Sequence, residues 1–172
     1  METLAALHRK LGIPADYAAK RGWPLQPEAD AAELVSIGED VFGREQRLIH
    51  PAAEAWQALY QAAADDEVIL QPVSAFRGVI YQVEVIRRKL AAGRSIEDIL
   101  QVNAAPGYSE HHTGRALDIT APGVEPLSEG FEATTAFEWL TRHAARFDFV
   151  LSYPRDNPLG FVYEPWHWAY RV

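Results

Sequence analysis

Two short segments, far apart in the chain, place their side chains alternately on two faces. In residues 115–120, two aliphatic side chains share one face, and Asp118 shares the other with small neighbours. In residues 166–171 the aromatic side chains take one face and His167 takes the opposite one. This period of two predicts two strands, each with a metal-competent side chain on its small-residue face. The aromatic face is interpreted as core, and it consists of Trp166, Trp168 and Tyr170.

Composition limits the chemistry that the chain can perform. None of the 172 residues is cysteine, which excludes disulfides, thiolate zinc sites and a cysteine nucleophile. Any metal ion must therefore be held by His, Asp or Glu. The formal net charge of −8 argues against a general nucleic-acid or anionic-membrane binder. An anionic substrate would need positive charge concentrated at its binding site.

The length and the apolar pattern favour one soluble domain with a real core. The first apolar patch is interrupted by His8-Arg9-Lys10, and no apolar run approaches the ~20 residues of a membrane span. We therefore expect no export signal and no membrane span. The expected compartment is the cytoplasm, or the periplasm if the chain is a mature or trimmed form.

Prolines and apolar periodicity divide the chain into two parts. Residues 1–50 are predicted to form a helical N-terminal arm or cap, with helices over 2–11, 15–20 and 28–42. Residues 51–172 are predicted to form the main domain. One predicted helix begins at residue 51, and three others cover 78–90, 95–100 and 132–147. The predicted strands cover 67–74, 115–120, 149–152 and 166–171. The predicted fold class is α+β, with a small, mostly antiparallel sheet flanked by helices.

Two imidazoles and one carboxylate make up the ligand set of an open catalytic zinc site. Asp118 and His167 come from the two predicted strands, and a loop folding back through Gly114 could return His111 over Asp118. Each of these residues alone is more often a hydrogen-bonded core group. Their repeated placement on small-residue faces favours the metal interpretation. Glu164 precedes Pro165, which disfavours a helix there and leaves its carboxylate just off the metal.

These residues also carry a resemblance to a known family. The patterns Ser109-x-His111-x-x-Gly114-x-Ala116-x-Asp118 and Glu164-Pro165-Trp166-His167 resemble the paired signatures of VanY-type zinc D,D- and L,D-carboxypeptidases, over roughly residues 67–172. The resemblance implies the fold that this family shares with D-Ala-D-Ala dipeptidases and the hedgehog signalling domain. It also implies one Zn²⁺ per chain. The ligands would be His111, Asp118 and His167, with Glu164 as general base.

The same resemblance assigns substrate-binding residues. Arg77 follows the first predicted strand of the domain, and a planar guanidinium can clamp a terminal carboxylate. Arg77 is also expected to assist catalysis by stabilising the oxyanion. Gln82 and Ser109 would add neutral hydrogen bonds to the substrate. His112, next to a predicted ligand, is expected to support the pocket rather than to bind the metal.

The implied activity is hydrolysis of a C-terminal peptide bond, of the D-alanyl-D-alanine type, in a peptidoglycan stem peptide or another D-Ala-terminated peptide. A D-Ala-D-Ala dipeptidase, an L-Ala-D-Glu endopeptidase and a non-catalytic zinc-containing binding module are the alternatives. Two departures from the family concern the substrate subsites. Ser152 stands where a basic residue often precedes the Tyr-Pro pair, and residues 155–161 are short for a hairpin that walls the cleft.

Overall fold

The computed structural model describes residues 2–20 and 22–172. In this part of the chain the α-helices are α1 (Leu4–Leu11), α2 (His50–Asp65), α3 (Val79–Ala91), α4 (Ile96–Val102) and α5 (Thr135–His143). The strands are β1 (Leu34–Glu39), β2 (Glu45–Ile49), β3 (Gln71–Ser74), β4 (Ala116–Thr120), β5 (Phe149–Leu151) and β6 (His167–Tyr170). Short 3-10 turns cover Ala31–Glu33, Glu110–Thr113, Glu129–Ala133 and Ala144–Phe147.

The larger of the two sheets is four-stranded and antiparallel. Its strand order is β3-β4-β6-β5, so the two strands predicted from alternation are central neighbours. β3 lies at the edge, and its register shifts between Pro72 and Ser74. Proline has no backbone N–H to donate to a neighbouring strand, which explains why β3 lies at the edge of the sheet and contains a bulge. The predicted α+β class with a small antiparallel sheet is confirmed.

Apolar side chains form two separate clusters. The larger one combines one face of the sheet with α2 and α5, and it includes Leu117, Ile119 and Trp168, all at most 4% exposed. Of the aromatic side chains predicted to be core, Trp168 is buried, whereas Trp166 and Tyr170 are partly buried against this cluster and Trp166 also lines a surface cleft. The smaller cluster joins α1, α3 and α4 to Ile13, Tyr17 and Trp23 of the N-terminal segment.

The N-terminal segment is less helical than predicted. The helix over 2–11 exists as α1, but residues 15–20 form turns, and residues 28–42 contain a 3-10 turn and β1 instead of a helix. β1 pairs with β2 because a turn reverses the chain: the Asp40 carboxylate accepts hydrogen bonds from the backbone N–H groups of Phe42 (2.8 Å) and Arg44 (3.0 Å). The division of the chain at residue 50 stays a prediction.

The remaining predicted helices are present with adjusted ends. α3 and α4 match the predictions closely, and Ser95 caps α4 by accepting a hydrogen bond from the backbone N–H of Asp98. The helix predicted over 132–147 is shorter: it begins after Thr134, whose hydroxyl caps it, and its last turn is 3-10. Within residues 2–20 and 22–172, every helix is too short or too polar to cross a membrane.

Candidate metal centre and peptide cleft

Strand pairing brings the first two predicted ligands together. β4 and β6 are antiparallel, and Asp118 stands directly opposite His167 in their register. Because side chains alternate along a strand, both project from the face opposite the apolar cluster. The Asp118 Oδ1 atom lies 3.2 Å from His167 Nδ1, and both side chains are almost fully buried.

The 3-10 turn Glu110–Thr113 carries the third predicted ligand to the same place. Ser109 caps this turn by accepting a hydrogen bond from the backbone N–H of His111, and Gly114 ends it with a φ of +65°. A Cβ on Gly114 would lie 3.0 Å from side-chain carbons of Leu34 and Ile49, so this reversal requires glycine. The reversal places His111 Nε2 3.2 Å from Asp118 Oδ2.

The donor atoms fit a zinc ion in number, type and spacing. One ligand atom each from His111, Asp118 and His167 lies within 4.8 Å of the other two. Each imidazole nitrogen lies 3.2 Å from an oxygen of Asp118, His111 Nε2 from Oδ2 and His167 Nδ1 from Oδ1, and neighbouring ligands of a tetrahedral zinc ion are ~3.3 Å apart. His111 Nδ1 donates to the carbonyl oxygen of Ala75 (2.6 Å), whereas its Nε2 makes no hydrogen bond within the described part of the chain. A buried acceptor left unpaired is what a metal ion would satisfy.

The electrostatics of the cluster also suit a cation. Burial, reinforced by the charge of Arg77, lowers the pKa of His111 to about 4, so its imidazole is neutral at pH 7. Although burial opposes ionisation, the two neighbouring imidazoles hold the pKa of Asp118 well below its usual range. His167 differs: against the effect of burial, hydrogen bonds to Asp118 and Glu110 raise its pKa to about 10. A metal ion at Nδ1 must therefore displace a proton, which couples metal binding to pH.

Glu164 occupies the position predicted for a general base. Its Oε2 atom lies 3.6 Å from His167 Nδ1, beside the cluster, and its side chain is 19% exposed. Its backbone N–H donates to the carbonyl oxygen of Tyr153 (3.0 Å), which fixes the turn before β6. Burial raises the pKa of Glu164 to about 7, with His167 opposing and Asp118 adding to that rise. A carboxyl group with this pKa can take and release a proton near neutrality.

The three predicted substrate-binding residues line the same cleft, which has a volume of about 450 Å³. Arg77 Nε and Gln82 Oε1 are buried and find no hydrogen-bond partner among residues 2–20 and 22–172. The Gln82 amide nitrogen donates to the carbonyl oxygen of Ala104 (2.8 Å), so its oxygen is held in a fixed direction. Lys89 lies farther along the cleft and adds a second positive charge. These two cations share the cleft with the carboxyl groups of Glu110, Asp118 and Glu164, so the positive charge for an anionic ligand is local to the wall that Arg77 and Lys89 line.

His112 supports the cleft indirectly, as predicted. Its Nε2 accepts a hydrogen bond from the backbone N–H of Gly107 (3.0 Å), so its Nδ1 carries the proton and donates to the carbonyl oxygen of Arg77 (2.6 Å). The imidazole is fully buried, and burial lowers its pKa. It therefore holds the backbone of Arg77 rather than facing the metal cluster.

Two residues around the cluster were not predicted from the sequence. Glu110 is buried between the first two motif residues, and its Oε2 atom lies 3.0 Å from His167 Nε2. The ring of Tyr153 packs on the ring of His167, with their centroids 4.7 Å apart. The sequence shows an acidic residue between Ser109 and His111, but its burial and its partner His167 could not be identified without the register of β6.

Comparison with known proteins agrees with this geometry. The family described as "VanY: D-alanyl-D-alanine carboxypeptidase" matches residues 45–172. The chain is 34% identical over 97% of its length to the putative carboxypeptidase YodJ of Bacillus subtilis, and 33% identical over 98% to a D-alanyl-D-alanine carboxypeptidase of Enterococcus faecalis. It spans 59% and 58% of the lengths of these two relatives.

Solved structures show the same fold. The LD-carboxypeptidase LdcB aligns with a TM-score of 0.72 at 29% identity, covering 83% of this chain and 69% of LdcB. A mutant of the VanY D,D-pentapeptidase in complex with Zn(II) gives 0.62 at 26% identity, covering 85% of each chain. VanYB in complex with D-alanine-D-alanine gives 0.63 at 28%, covering 85% of this chain and 83% of VanYB. From the matching family description and the two curated relatives, the chain belongs to the VanY family of D-alanyl-D-alanine carboxypeptidases.

Proposed function

We propose that this chain is a zinc-dependent carboxypeptidase that releases the C-terminal D-alanine from a peptidoglycan stem peptide. The observation that carries the proposal is the buried cluster of His111, Asp118 and His167 with a carboxyl group of raised pKa beside it. The complexes of related proteins with Zn(II) and with D-alanine-D-alanine support the choice of metal and substrate.

His111 Nε2, an Asp118 oxygen and His167 Nδ1 would hold the zinc ion, and all three residues line the cleft. The chemistry that zinc supplies when bound is polarisation of the scissile carbonyl and a lowered pKa for water. Glu164 takes the proton from the attacking water and later delivers it to the leaving amine. Its pKa of about 7 suits both transfers.

The substrate's terminal carboxylate would bind in the part of the cleft lined by Arg77, Gln82 and Ser109. The guanidinium of Arg77 clamps the carboxylate, and its charge also stabilises the developing oxyanion. The orphaned oxygen of Gln82 accepts a hydrogen bond from a substrate N–H, and the Ser109 hydroxyl adds another contact. These three side chains would favour substrates with a free C-terminal carboxylate, which is the kind of substrate that a carboxypeptidase cleaves.

The test is a D-alanine release assay on a pentapeptide ending in D-Ala-D-Ala, with a tetrapeptide and free D-Ala-D-Ala as comparison substrates. We expect release from the pentapeptide, its loss with a chelator and its recovery with Zn²⁺. Glu164→Gln should keep the metal, measured by elemental analysis, while kcat falls about 10²–10⁴-fold because proton transfer is lost.

Glu138→Gln is a suitable control, since it removes an exposed carboxylate that pairs with Arg142 on α5. Its activity should match the wild type. A zinc-loaded wild type that cleaves none of the substrates would overturn the proposal and leave a binding module as the better description. Cleavage of the free dipeptide alone would point to a dipeptidase.

A further inference from the structure

A second carboxylate lies behind the predicted ligand His167, on the side away from the metal cluster. Glu110 is 8% exposed, and its Oε2 atom accepts a hydrogen bond from His167 Nε2 (3.0 Å). An ionised carboxylate can only accept, so Nε2 must carry the proton. The other ring nitrogen, Nδ1, then faces Asp118 and Glu164, which is where the metal would bind.

The Glu110 carboxylate is itself held from two neighbouring strands. Ser152, just after β5, donates its hydroxyl to Oε2 (2.7 Å), and the Arg171 guanidinium, just after β6, pairs with Oε1. Arg171 also donates to the Ser152 hydroxyl oxygen (3.2 Å). Both oxygens of Glu110 are therefore occupied, and its position depends on the pairing of β5 with β6. The side chain of Arg171 is 50% exposed, so its removal opens little buried volume.

We propose that Glu110, held by Arg171 and Ser152, is a positioning residue that fixes the tautomer and ring orientation of His167 for metal binding. This proposal rests on the proposed zinc site. A hydrogen-bonded carboxylate behind a ligating imidazole raises the basicity of the ligand and removes its rotational freedom, and loss of such a partner typically weakens metal binding by 10–100-fold. The Ser152 hydroxyl is neutral, and Arg171, just after β6, supplies the positive charge that balances Glu110.

The experiment measures zinc affinity by competition with a chromophoric chelator, and ligand geometry from the absorption spectrum of the Co²⁺-loaded protein. Neither readout depends on turnover. Glu110→Gln keeps the shape of the side chain but removes its charge, and we expect zinc to bind about 10–100-fold more weakly with an altered Co²⁺ spectrum. Arg171→Gln should cause a smaller loss in the same direction, because the carboxylate remains but is less fixed.

Arg44→Gln is the matched control. Arg44 is 51% exposed, pairs with a buried carboxylate, Asp40, in the turn between β1 and β2, and donates to the carbonyl oxygen of Val73 (3.1 Å). None of its hydrogen bonds within residues 2–20 and 22–172 goes to the three ligands. Its zinc affinity and Co²⁺ spectrum should equal those of the wild type.

Wild-type affinity and an unchanged spectrum in Glu110→Gln would overturn the positioning role while leaving the proposed zinc peptidase intact. An equal loss in Arg44→Gln would also overturn it, since the effect would then be general to such ion pairs. Failure of the wild type to bind zinc would instead overturn the proposed function. If Glu110→Gln does not fold, the half-exposed Arg171→Gln still tests the proposal.

Discussion

At the scale of single residues, Arg77 shows how a backbone can be fixed while a side chain stays available. Its backbone N–H donates to the carbonyl oxygen of His111 (3.1 Å), and its own carbonyl accepts from His112. The metal cluster and the guanidinium are thus held in register through adjacent residues of one turn. This turn therefore sets the spacing between the proposed zinc site and the proposed carboxylate clamp, and that spacing would restrict cleavage to the last peptide bond.

The prediction for Arg77 concerns the free C-terminus. Arg77→Lys keeps a positive charge but loses the planar pair of donors, so KM for the pentapeptide should rise about 10–100-fold, as expected for lost hydrogen bonds to a charged group. A C-terminally amidated pentapeptide should show little difference between the two proteins. Steady-state kinetics on both peptides measures this, and zinc content serves as the check on the metal site. An equal effect on both peptides would contradict the carboxylate clamp.

Much of the site could be predicted at this scale, and one part could not. Alternation along two strands placed Asp118 and His167 on usable faces, and Gly114 indicated the chain reversal that brings in His111. Glu110 was missed because an acid in a 3-10 turn has no periodicity. Its role depends on Arg171, which lies far away in sequence and becomes its neighbour only through the sheet.

At the scale of elements, the N-terminal segment supports one wall of the cleft. The Trp23 ring stacks on Phe161 with centroids 4.2 Å apart and planes at 11°, and its indole N–H donates to the carbonyl oxygen of Leu159 (2.7 Å). Phe161 packs on Tyr153 (4.5 Å), which packs on His167. A chain of aromatic contacts therefore connects the N-terminal segment to the metal cluster. It also explains how the short 155–161 segment is kept in place.

The prediction for this element separates positioning from stability. Trp23→Ala removes the stack on Phe161, so KM should rise several-fold, and the free energy of unfolding should fall by about 3–5 kcal/mol. Leu11→Ala empties part of the same apolar cluster without touching Phe161, and it should cost about 2–5 kcal/mol with KM unchanged. Kinetics at a temperature where both variants are folded, together with denaturant unfolding, measures the difference. A similar KM in the two variants would mean that the segment only stabilises the fold.

Elements were predictable where the local pattern and the tertiary contacts agree. α3 and α4 have apolar periodicity and end signals that the structure keeps, and Pro72 indicated the bulged edge of β3. The β1–β2 hairpin was missed because its strands are short and its turn depends on the Asp40 side chain. The backbone hydrogen bonds of β1 are made to β2, and the side-chain pattern of residues 28–42 does not show this pairing.

At the scale of the whole molecule, the three predicted ligands come from a 3-10 turn and from two paired strands that are far apart in the sequence. His111 lies in a 3-10 turn beside the cleft, while Asp118 and His167 lie on neighbouring central strands. Buried carboxylates need a neighbouring cation, which protonated His167 supplies without a metal and which a zinc ion would supply with a larger charge. Zinc binding should therefore stabilise the entire domain, since the unfolded chain cannot gather these residues.

The size of this stabilisation follows from mass action. With free zinc about 1,000-fold above the dissociation constant, the folded state gains about 4 kcal/mol, which for a domain of this size corresponds to a rise in melting temperature of about 8–16 °C. Mg²⁺ should have little effect, because it prefers oxygen ligands. His167→Ala should abolish the zinc-dependent rise, whereas Glu164→Gln should keep it, because a general base does not hold the metal. Calorimetry of the three proteins with each of the two ions decides this, and a rise that persists in His167→Ala would place the stabilising metal somewhere other than between β4 and β6.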